Sequence, residues 1–248
     1  ALKVEEGDIL AFLPGEGEIK SCESILKKQD TNAFIYPLYG QLPPSKQFAA
    51  IKPRKDGKRK IVLATSIAET SLTIEGIRVV VDCGFSRNQI FNPGTGLSKL
   101  ETHEITLDSA EQRTGRAGRL APGVCYRMWT KATQNRLLKH RKPEILVSDL
   151  SSMVLDMAKW GANNINALTW LTPPPQHAVD EAYHLLEQLE AIENNKITAQ
   201  GEEIHKIPSH PRIAHMLIMA RQDGSETLAT DVAAILEERD PLDKTDGI

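Results

Sequence analysis

Several features that mark common functional classes are missing from this chain of 248 residues. It has three cysteines, Cys22, Cys83 and Cys125, and no C-x-x-C pair, which is typical of a protein kept in a reducing cytosol. No apolar run approaches the roughly 18 to 20 residues of a membrane span, and no signal peptide opens the sequence. We therefore expect a cytoplasmic protein that has no membrane partner.

An excess of positive charge is also missing. The formal net charge is −3 at pH 7, so composition gives no basic signature for nucleic acid, and any such binding must be local. The seven histidines form no H-E-x-x-H pair, and we predict no metal site in this chain. Hydrophobic residues make up 40% of the chain, which suffices for a buried core.

The chain also lacks a phosphate-binding loop of the type G-x-x-x-x-G-K-[ST]. Gly57-Lys58 is followed by Arg59 rather than by Ser or Thr. Asp180–Tyr183 reads D-E-A-Y, yet it lies in an amphipathic helical pattern and not at the end of a buried strand, where carboxylates could reach Mg²⁺. The sequence begins in mid-pattern and ends after a charged segment, and we interpret it as a piece of a longer protein.

The most informative stretch that is present is Gln112–Arg119, which reads Q-R-T-G-R-A-G-R. We predict a helix that opens at Ser109, with Gln112 as its capping-box partner. The helical period then places three side chains on one stripe, those of Gln112, Arg116 and Arg119. Gly115 and Gly118 lie beside the stripe and would let another surface approach. Arginines aimed at a polyanion are what phosphoryl transfer requires, and the alternative is a surface cluster held in salt bridges.

The first half of the chain predicts an α/β fold with a parallel sheet, because short apolar runs alternate there with helical patterns. The predicted strands are Ile9–Leu13, Ala33–Leu38, Ile61–Thr65, Ile77–Val81 and Gly123–Trp129. Pro93–Gly96 lies between two partly alternating segments, Asn88–Phe91 and Leu100–Thr106. These segments predict a β-hairpin that projects from the sheet.

The second half is predicted to be mainly helical. One helix has Ser148 as its N-cap and Gly161 as its stop, and another starts after Pro173–Pro175. Ile197–Ile204 is predicted to form a short hairpin with its turn at Gln200-Gly201, and two more helices follow from about residue 207. The helix after the prolines is acidic, which argues that it braces the structure rather than reading DNA.

These motifs, in this order and spacing, resemble the second motor domain of the DEAH-box helicases, and most of all the bacterial HrpB-type branch. The resemblance rests on a few tags, which are Phe12–Gly15, Leu38–Gly40, Ile61–Gly76, Val79–Phe85, Gln112–Arg119, Gly123–Arg127, Pro143–Leu146, Trp170–Pro175 and His210–Leu217. It implies a RecA-like domain over residues 1–129, a winged-helix domain over 130–206 and the start of a helical ratchet domain over 207–248.

The resemblance also implies roles at a nucleotide site. Arg116 and Arg119 match the family's arginine fingers, and Gln112 matches a γ-phosphate contact. Glu75 and Arg113 are assigned to positions near the nucleotide, but Arg113 points about 100° away from Gln112 on the predicted helix, which favours a structural or bridging role. Glu75 stands where Asp is commoner, and a solvated carboxylate in a turn is its alternative. ATP is the implied cofactor, with Mg²⁺ held mainly by a first motor domain that this sequence does not contain.

Three further residues match the family's contacts with the nucleic-acid backbone. Thr65 and Ser66 follow a predicted strand, where hydroxyl and N–H groups hold phosphates without reading sequence. Gly40 matches a backbone-contact glycine, with a simple turn glycine as its alternative. Ile51 stands where many relatives have an aromatic that stacks on the nucleotide base. The basic run Lys52–Lys60 is interpreted as a solvated loop rather than a phosphate site.

The sequence is therefore identified as resembling the C-terminal motor half of an ATP-dependent RNA helicase. The expected partners are single-stranded RNA, with DNA as an alternative, and the first motor domain of the same polypeptide. Alone, the chain is expected to be catalytically silent. Two other classes stay open, which are a non-enzymatic nucleic-acid-binding or regulatory winged-helix module and a structural scaffold.

Overall fold

The computed structural model describes residues 1–29, 31–54, 56–70, 72–92, 96–119, 121–162 and 164–237, without the side chains of residues 92, 97, 98 and 166. The chain forms two compact units, Ala1–Lys142 and Pro143–Ile248. The division into three domains at residues 129 and 206 stays a prediction.

The first unit is built on a parallel sheet. Its strands, in chain order, are β1 (Asp8–Phe12), β2 (Phe34–Leu38), β3 (Lys60–Ala64), β4 (Ile77–Asp82), β5 (Phe85–Asn92), β6 (Leu97–Glu104) and β7 (Val124–Arg127). Five of them form one sheet in the order β2-β3-β1-β4-β7, and every pairing in it is parallel. All five strands predicted for this sheet are confirmed, with ends that differ by one or two residues.

The helices of the first unit are α1 (Glu16–Lys27), α2 (Pro44–Ile51), α3 (Leu107–Thr114) and α4 (Lys131–Arg136). The central strand β1 lies between β3, which is buried along its whole length, and β4. Burial on both faces explains why these three inner strands are nearly continuous apolar runs rather than alternating ones. Since all five strands run the same way, their carboxyl ends share one edge of the sheet, and their amino ends share the other.

A projecting hairpin leaves this sheet at the carboxyl end of β4. Strands β5 and β6 pair antiparallel from Phe85–Glu104 to Asn92–Leu97, which confirms the predicted hairpin. Its predicted turn at Pro93–Thr95 lies outside the described residues. Gly84 allows the exit because it has a φ of +82°, and a Cβ there would lie 2.8 Å from the Trp129 ring. A residue with a side chain would be strained at this position.

The predicted extent of the arginine-rich helix is wrong. Helix α3 begins two residues before Ser109, after Thr106, and ends at Thr114 with Gly115 as its C-cap. The next residues continue in tight turns, in which the Arg116 amide donates to the Arg113 carbonyl. Glycine lowers helix propensity, so the helix stops where the first of the two glycines stands. Arg116 and Arg119 therefore lie beyond the helix.

The second unit contains α5 (Ser151–Lys159), α6 (Gln176–Gln188), β8 (Ile192–Glu193), β9 (Lys196–Ile197), α7 (Ala199–Lys206), α8 (Pro211–Asp223) and α9 (Glu226–Glu237). Its core includes Val154, Leu186, Ile204 and Ala214, each of which is at most 1% exposed. The start of α6 after the prolines and the stop at Gly161, with a φ of +81°, are confirmed. No described helix is both long and apolar enough to span a bilayer.

Two local predictions in this unit are wrong. Ser148 is not the N-cap of α5, because the helix starts at Ser151, whose amide donates to Asp149 Oδ1 at 2.7 Å. The short hairpin lies at β8–β9 rather than at Ile197–Ile204, with its turn at Asn194-Asn195, where both φ values are positive. The segment that contains Gly201 is helix α7, which Thr198 caps by accepting from the Gly201 amide.

Candidate functional site

Arg116 occupies an unusual position for an arginine. Its side chain is held against the link between β3 and β4, where Nε donates to the Glu69 carbonyl at 2.9 Å and Nη1 donates to the Leu72 carbonyl. The residue is only 5% exposed, yet it pairs with no carboxylate of the described chain, and its Nη2 has no partner there. Burial, and then the charge of Arg119, lowers the pKa of Arg116. The result is a buried cation that has an unused donor.

Arg119 and Gln112 are placed differently. Both side chains are exposed, and Arg119 Nη1 donates to Thr73 Oγ1 at 3.0 Å. A Cβ on the neighbouring Gly118 would meet no described atom within 4 Å, so this surface is open to a ligand or another domain. The predicted single stripe is wrong because α3 ends before Arg116. The two arginines nevertheless lie side by side along the segment from Glu69 to Thr73.

Arg113 is enclosed within the first unit. It is 1% exposed, with Nε 2.9 Å from Glu69 Oε2 and Nη1 2.9 Å from Asp82 Oδ1. Nη1 also donates to the Phe85 carbonyl at 3.2 Å, and the guanidinium lies 4.8 Å from the Phe12 ring centre. Its charge is fully matched by two carboxylates. This geometry supports the structural role for Arg113, and a direct contact with nucleotide stays a prediction.

Glu75 lies in the exposed turn before β4, two residues past Thr73. The adjacent Gly76 has a φ of +86°, and its carbonyl accepts from the Asp8 amide at 3.1 Å. Glu75 is thus at the amino edge of the sheet, where the turns that carry Arg119 lead into β7. The structure brings Glu75 and the two arginines to the same part of the unit, and its role at a nucleotide stays a prediction.

The three predicted nucleic-acid contacts lie at the opposite edge. Gly40 follows β2, while Thr65 and Ser66 follow β3, so all three are at the carboxyl edge of neighbouring strands. The Thr65 amide donates to the Leu38 carbonyl at 3.2 Å, which ties the two loops together. Gly40 is exposed, and a Cβ there would meet nothing within 4 Å. These neutral groups form one surface, which we call the strand-end surface (Gly40, Thr65, Ser66).

Most basic side chains in the described part of the run Lys52–Lys60 make hydrogen bonds within the first unit. Lys60 is fully buried and donates to the last carbonyls of α2, which belong to Ala50, Ile51 and Lys52. Arg59 donates to the carbonyls of Gly7 and Leu2. Arg54 is bound by Asp56 and by the Tyr36 hydroxyl. The interpretation of the run as a solvated loop is therefore wrong at its end, where Lys60 is buried as the first residue of β3.

Sequence reasoning missed the importance of two acidic residues. Glu69 is 6% exposed and binds Arg113 with one carboxylate oxygen and Arg141 Nη2 with the other, at 3.1 Å. Asp82 is fully buried, and burial raises its pKa, although Arg113 and the Gly84 amide oppose that effect. The only signal in the sequence was that carboxylates stand in or beside apolar segments, since buried acidic residues are rare unless they are paired.

The chemistry of these groups fits a phosphate ligand. A buried guanidinium that lacks both a carboxylate and one acceptor is costly, and a phosphate oxygen would supply the charge and the acceptor that are missing. Arg119 beside it adds a second permanent cation. Within the described residues, no group of three or more His, Cys, Asp or Glu side chains could hold a metal ion. The residues present therefore fit the phosphate part of a nucleotide.

Comparison with known proteins shows close relatives. Residues 2–121 match the family of the helicase conserved C-terminal domain. The ATP-dependent RNA helicase HrpB of Escherichia coli K12 is 42% identical over 246 residues, which are 99% of this chain and 30% of that protein. A crystal structure of the E. coli DEAH/RHA helicase HrpB matches 97% of this chain, and 31% of its own, with a TM-score of 0.87. A second crystal structure, of the E. coli DExH-box NTPase HrpB, has a TM-score of 0.81 at 42% identity, over 97% of this chain and 30% of its own.

Proposed function

We propose that this chain, which belongs to the HrpB-like DEAH-box helicases as part of their C-terminal half, forms one wall of a cleft in which ATP is hydrolysed. The chain spans about 30% of the length of E. coli HrpB, so the rest of the proposed motor lies in sequence that this chain does not contain. In the proposed enzyme, a first motor domain binds ATP and Mg²⁺. The present chain supplies cations to the γ-phosphate and grips single-stranded RNA.

The observation that carries this proposal is the contrast between Arg113 and Arg116. Both are buried, but Arg113 is neutralised by two carboxylates, whereas Arg116 has none and keeps an unused Nη2. If Arg116 served only for packing, a carboxylate partner or an apolar residue in its place would make the fold more stable, because an unpaired buried charge is destabilising. A site for an anion explains why the charge is kept.

The proposed roles follow from the positions of the side chains. When ATP is bound, it supplies the phosphoryl group that is transferred to water. Arg116 and Arg119 donate hydrogen bonds to the phosphate oxygens on which negative charge develops, and neither side chain loses its proton near neutral pH. Gln112, exposed on α3, adds a neutral donor. Glu75 contacts the nucleotide region from the turn before β4.

On the other edge, the strand-end surface holds the backbone of single-stranded RNA. Backbone N–H groups and the hydroxyls of Thr65 and Ser66 donate to phosphate oxygens, which fixes the strand without reading its bases. The hairpin β5–β6, which leaves the same edge at Gly84, lies where it can contact the strand. Closing and opening of the cleft against the first motor domain would then move this grip along the RNA.

The alternative proposal is a binding or regulatory module without catalysis. Such a module would bind nucleic acid through its winged helix, which the exposed acidic residues of α6 disfavour, and it gives no role to a buried arginine without a carboxylate. The discriminating observable is ATP turnover rather than RNA affinity.

The test is a measurement of ATP turnover on the protein extended upstream to include its first motor domain. We expect single-stranded RNA to stimulate turnover, and Arg116→Ala to lower kcat by about 10³-fold or more, as loss of an arginine finger does in related phosphoryl-transfer enzymes. RNA binding by the variant, measured by fluorescence anisotropy, should equal that of the parent.

The matched control is Arg221→Ala, which removes an exposed arginine of α8 in the second unit that lies 3.6 Å from Glu226. It should leave turnover unchanged, because exposed ion pairs contribute little. If Arg116→Ala keeps normal turnover, the arginine is structural, and the binding module becomes the better proposal.

A further inference from the structure

Glu69 joins two sets of contacts in the first unit. Its carboxylate binds Arg113 Nε at 2.9 Å and Arg141 Nη2 at 3.1 Å, and only 7% of the side chain is exposed. Its backbone carbonyl accepts from Arg116 Nε, also at 2.9 Å. Glu69 thus binds Arg113, whose charge is neutralised, with its side chain, and it binds Arg116, whose charge is not neutralised, with its main chain.

Arg113 extends these contacts to the root of the hairpin. Its Nη1 donates both to Asp82 Oδ1, at 2.9 Å, and to the carbonyl of Phe85, at 3.2 Å. Asp82 Oδ1 also accepts from the Gly84 amide at 3.0 Å. Phe85 is the first residue of β5, so the hairpin leaves the sheet at a point that Arg113 and Asp82 hold. Glu69 is therefore linked to the hairpin through the side chain of Arg113, and to Arg116 through its own backbone carbonyl.

This connection is made of buried ionic groups rather than apolar ones. An apolar cluster of similar volume would often be at least as stable, so ion pairs in this place need a reason other than stability. Arginine–carboxylate hydrogen bonds have a defined geometry, so the positions of the three groups depend on one another. The bonds of Arg113 thus form a continuous connection from Phe85 and Asp82 at the hairpin root to Glu69.

We infer that Glu69 is a positioning residue that couples the hairpin to Arg116, so that an RNA strand held against the hairpin sets the position of the arginine for ATP turnover. The inference rests on the proposed function and deepens it, because it names the internal link between the RNA-binding half and the nucleotide half of the unit. In this inference Glu69 acts through its contacts with Arg113 and Arg116 and not by binding either ligand itself.

The experiment replaces the carboxylate with its neutral isostere, Glu69→Gln, in the protein extended upstream. ATP turnover is measured with and without single-stranded RNA, at varied ATP. We expect the RNA-stimulated kcat to fall by about 10- to 100-fold, since displacement of a catalytic group by about 1 Å has effects of that size. The KM for ATP and the RNA-free rate should change by less than about threefold. An unchanged ratio of stimulated to unstimulated rates overturns the inference.

Two further variants control for charge and for folding. Glu111→Gln makes the same change at an exposed position of α3 and should leave the stimulation unchanged. Arg141→Gln removes one of the two partners of Glu69, and its side chain is 55% exposed, so the fold should tolerate it. We expect Arg141→Gln to lower the stimulation in the same direction as Glu69→Gln, with a normal melting temperature. Full stimulation in Arg141→Gln, or an equal loss in Glu111→Gln, contradicts the coupling.

The Arg116→Ala variant separates this inference from the proposed function. If Arg116→Ala keeps normal turnover, the proposed function fails whatever Glu69→Gln does. If Arg116→Ala abolishes turnover while Glu69→Gln keeps full stimulation by RNA, the arginine finger stands and only the coupling through Glu69 is wrong.

Discussion

Three arginines within seven residues have three different environments. Arg113 is buried between carboxylates, Arg116 is buried without one, and Arg119 is exposed. The environments of Arg113 and Arg116 differ because α3 ends at Thr114, and the turns that follow direct Arg116 onto the main chain of Glu69. Residues of one type in one motif therefore differ in their contacts, and stability measurements can separate the contributions of those contacts.

At the residue scale we predict that Arg113→Met strongly destabilises the first unit. The change leaves Asp82 fully buried without its only described cationic partner, and it removes one of the two partners of Glu69. Breaking a buried ion pair in this way costs about 3–5 kcal/mol of unfolding free energy. Urea denaturation followed by far-UV circular dichroism measures the loss.

The control for this prediction is Arg119→Met, which removes an exposed arginine from the same motif. Its only described contact is with Thr73, so the free energy of unfolding should change by less than about 0.5 kcal/mol. Equal effects of the two substitutions would show that the buried contacts of Arg113 do not carry the stability assigned to them.

The sequence could predict the candidate arginines, but not their environments. Gln112, Arg116 and Arg119 follow from a local motif, whereas the partnership of Arg113 with Glu69 joins residues 44 positions apart. Nothing in the local sequence distinguishes Glu69 from a solvated carboxylate. Lys60 is a similar case, since it lies in a basic run and yet is buried as the cap of α2.

At the scale of elements, strands with continuous apolar runs were predictable and very short ones were not. The inner strands β3, β1 and β4 carry the runs of apolar residues that burial requires, and the edge strands β2 and β7 carry shorter ones. Strands β8 and β9 have two residues each, which is too few for any periodic pattern. Their one signal is Asn194-Asn195, because asparagine tolerates the positive φ that tight hairpin turns need.

A second element-scale feature is the contact between the start of α5 and the start of α8. His210 Nε2 lies 3.2 Å from Ser151 Oγ and 3.4 Å from Asp149 Oδ1, and Ser151 is fully buried. His210 Nδ1 accepts from the Arg212 amide, so in the neutral ring Nε2 is the atom that donates. Burial acts to raise the pKa of Asp149, but hydrogen bonds from His210 and Ser151 outweigh it and hold that pKa below 3.8.

We predict that this contact makes the second unit sensitive to acid. Because the pKa of Asp149 is lower in the folded state, its ionised form adds stability above about pH 3.8, and that stability is lost as pH falls through the folded-state value. Asp149→Asn should therefore lower the free energy of unfolding near neutral pH and flatten its fall in acid. Urea denaturation at several pH values from about 7 to about 2.5 measures both effects.

The exposed Asp231 on α9 supplies the control for the acid series. Asp231→Asn should leave the pH dependence of unfolding as it is in the parent. If Asp149→Asn shows the same pH dependence as Asp231→Asn, the contact with His210 does not stabilise the ionised carboxylate.

At the scale of the whole molecule, the net charge of −3 has a consequence for RNA binding. In the proposed RNA site the strand-end surface offers only neutral groups to phosphate, and most basic side chains in the described part of the run make hydrogen bonds within the first unit. Neutral donors bind phosphate without replacing its counterions, whereas each lysine or arginine contact releases about 0.7 of a counterion from a single strand. The salt dependence of binding therefore distinguishes the two kinds of contact.

We predict that single-stranded RNA binds this chain with a shallow salt dependence, in which log Kd changes by less than about 1.5 per tenfold change in salt. Thr65→Val, which removes one hydroxyl, should weaken binding by about tenfold without changing the slope, because a hydrogen bond to a charged group contributes about 1.5 kcal/mol. Replacing the exposed cations Lys52 and Lys58 with glutamine should change neither quantity. Fluorescence anisotropy at several potassium chloride concentrations gives both the Kd and the salt slope.

The opposite outcome is a slope near 3 that falls when Lys52 and Lys58 are replaced. It would place the RNA at the basic run instead of the carboxyl edge of the sheet, and the strand-end surface would lose its proposed role.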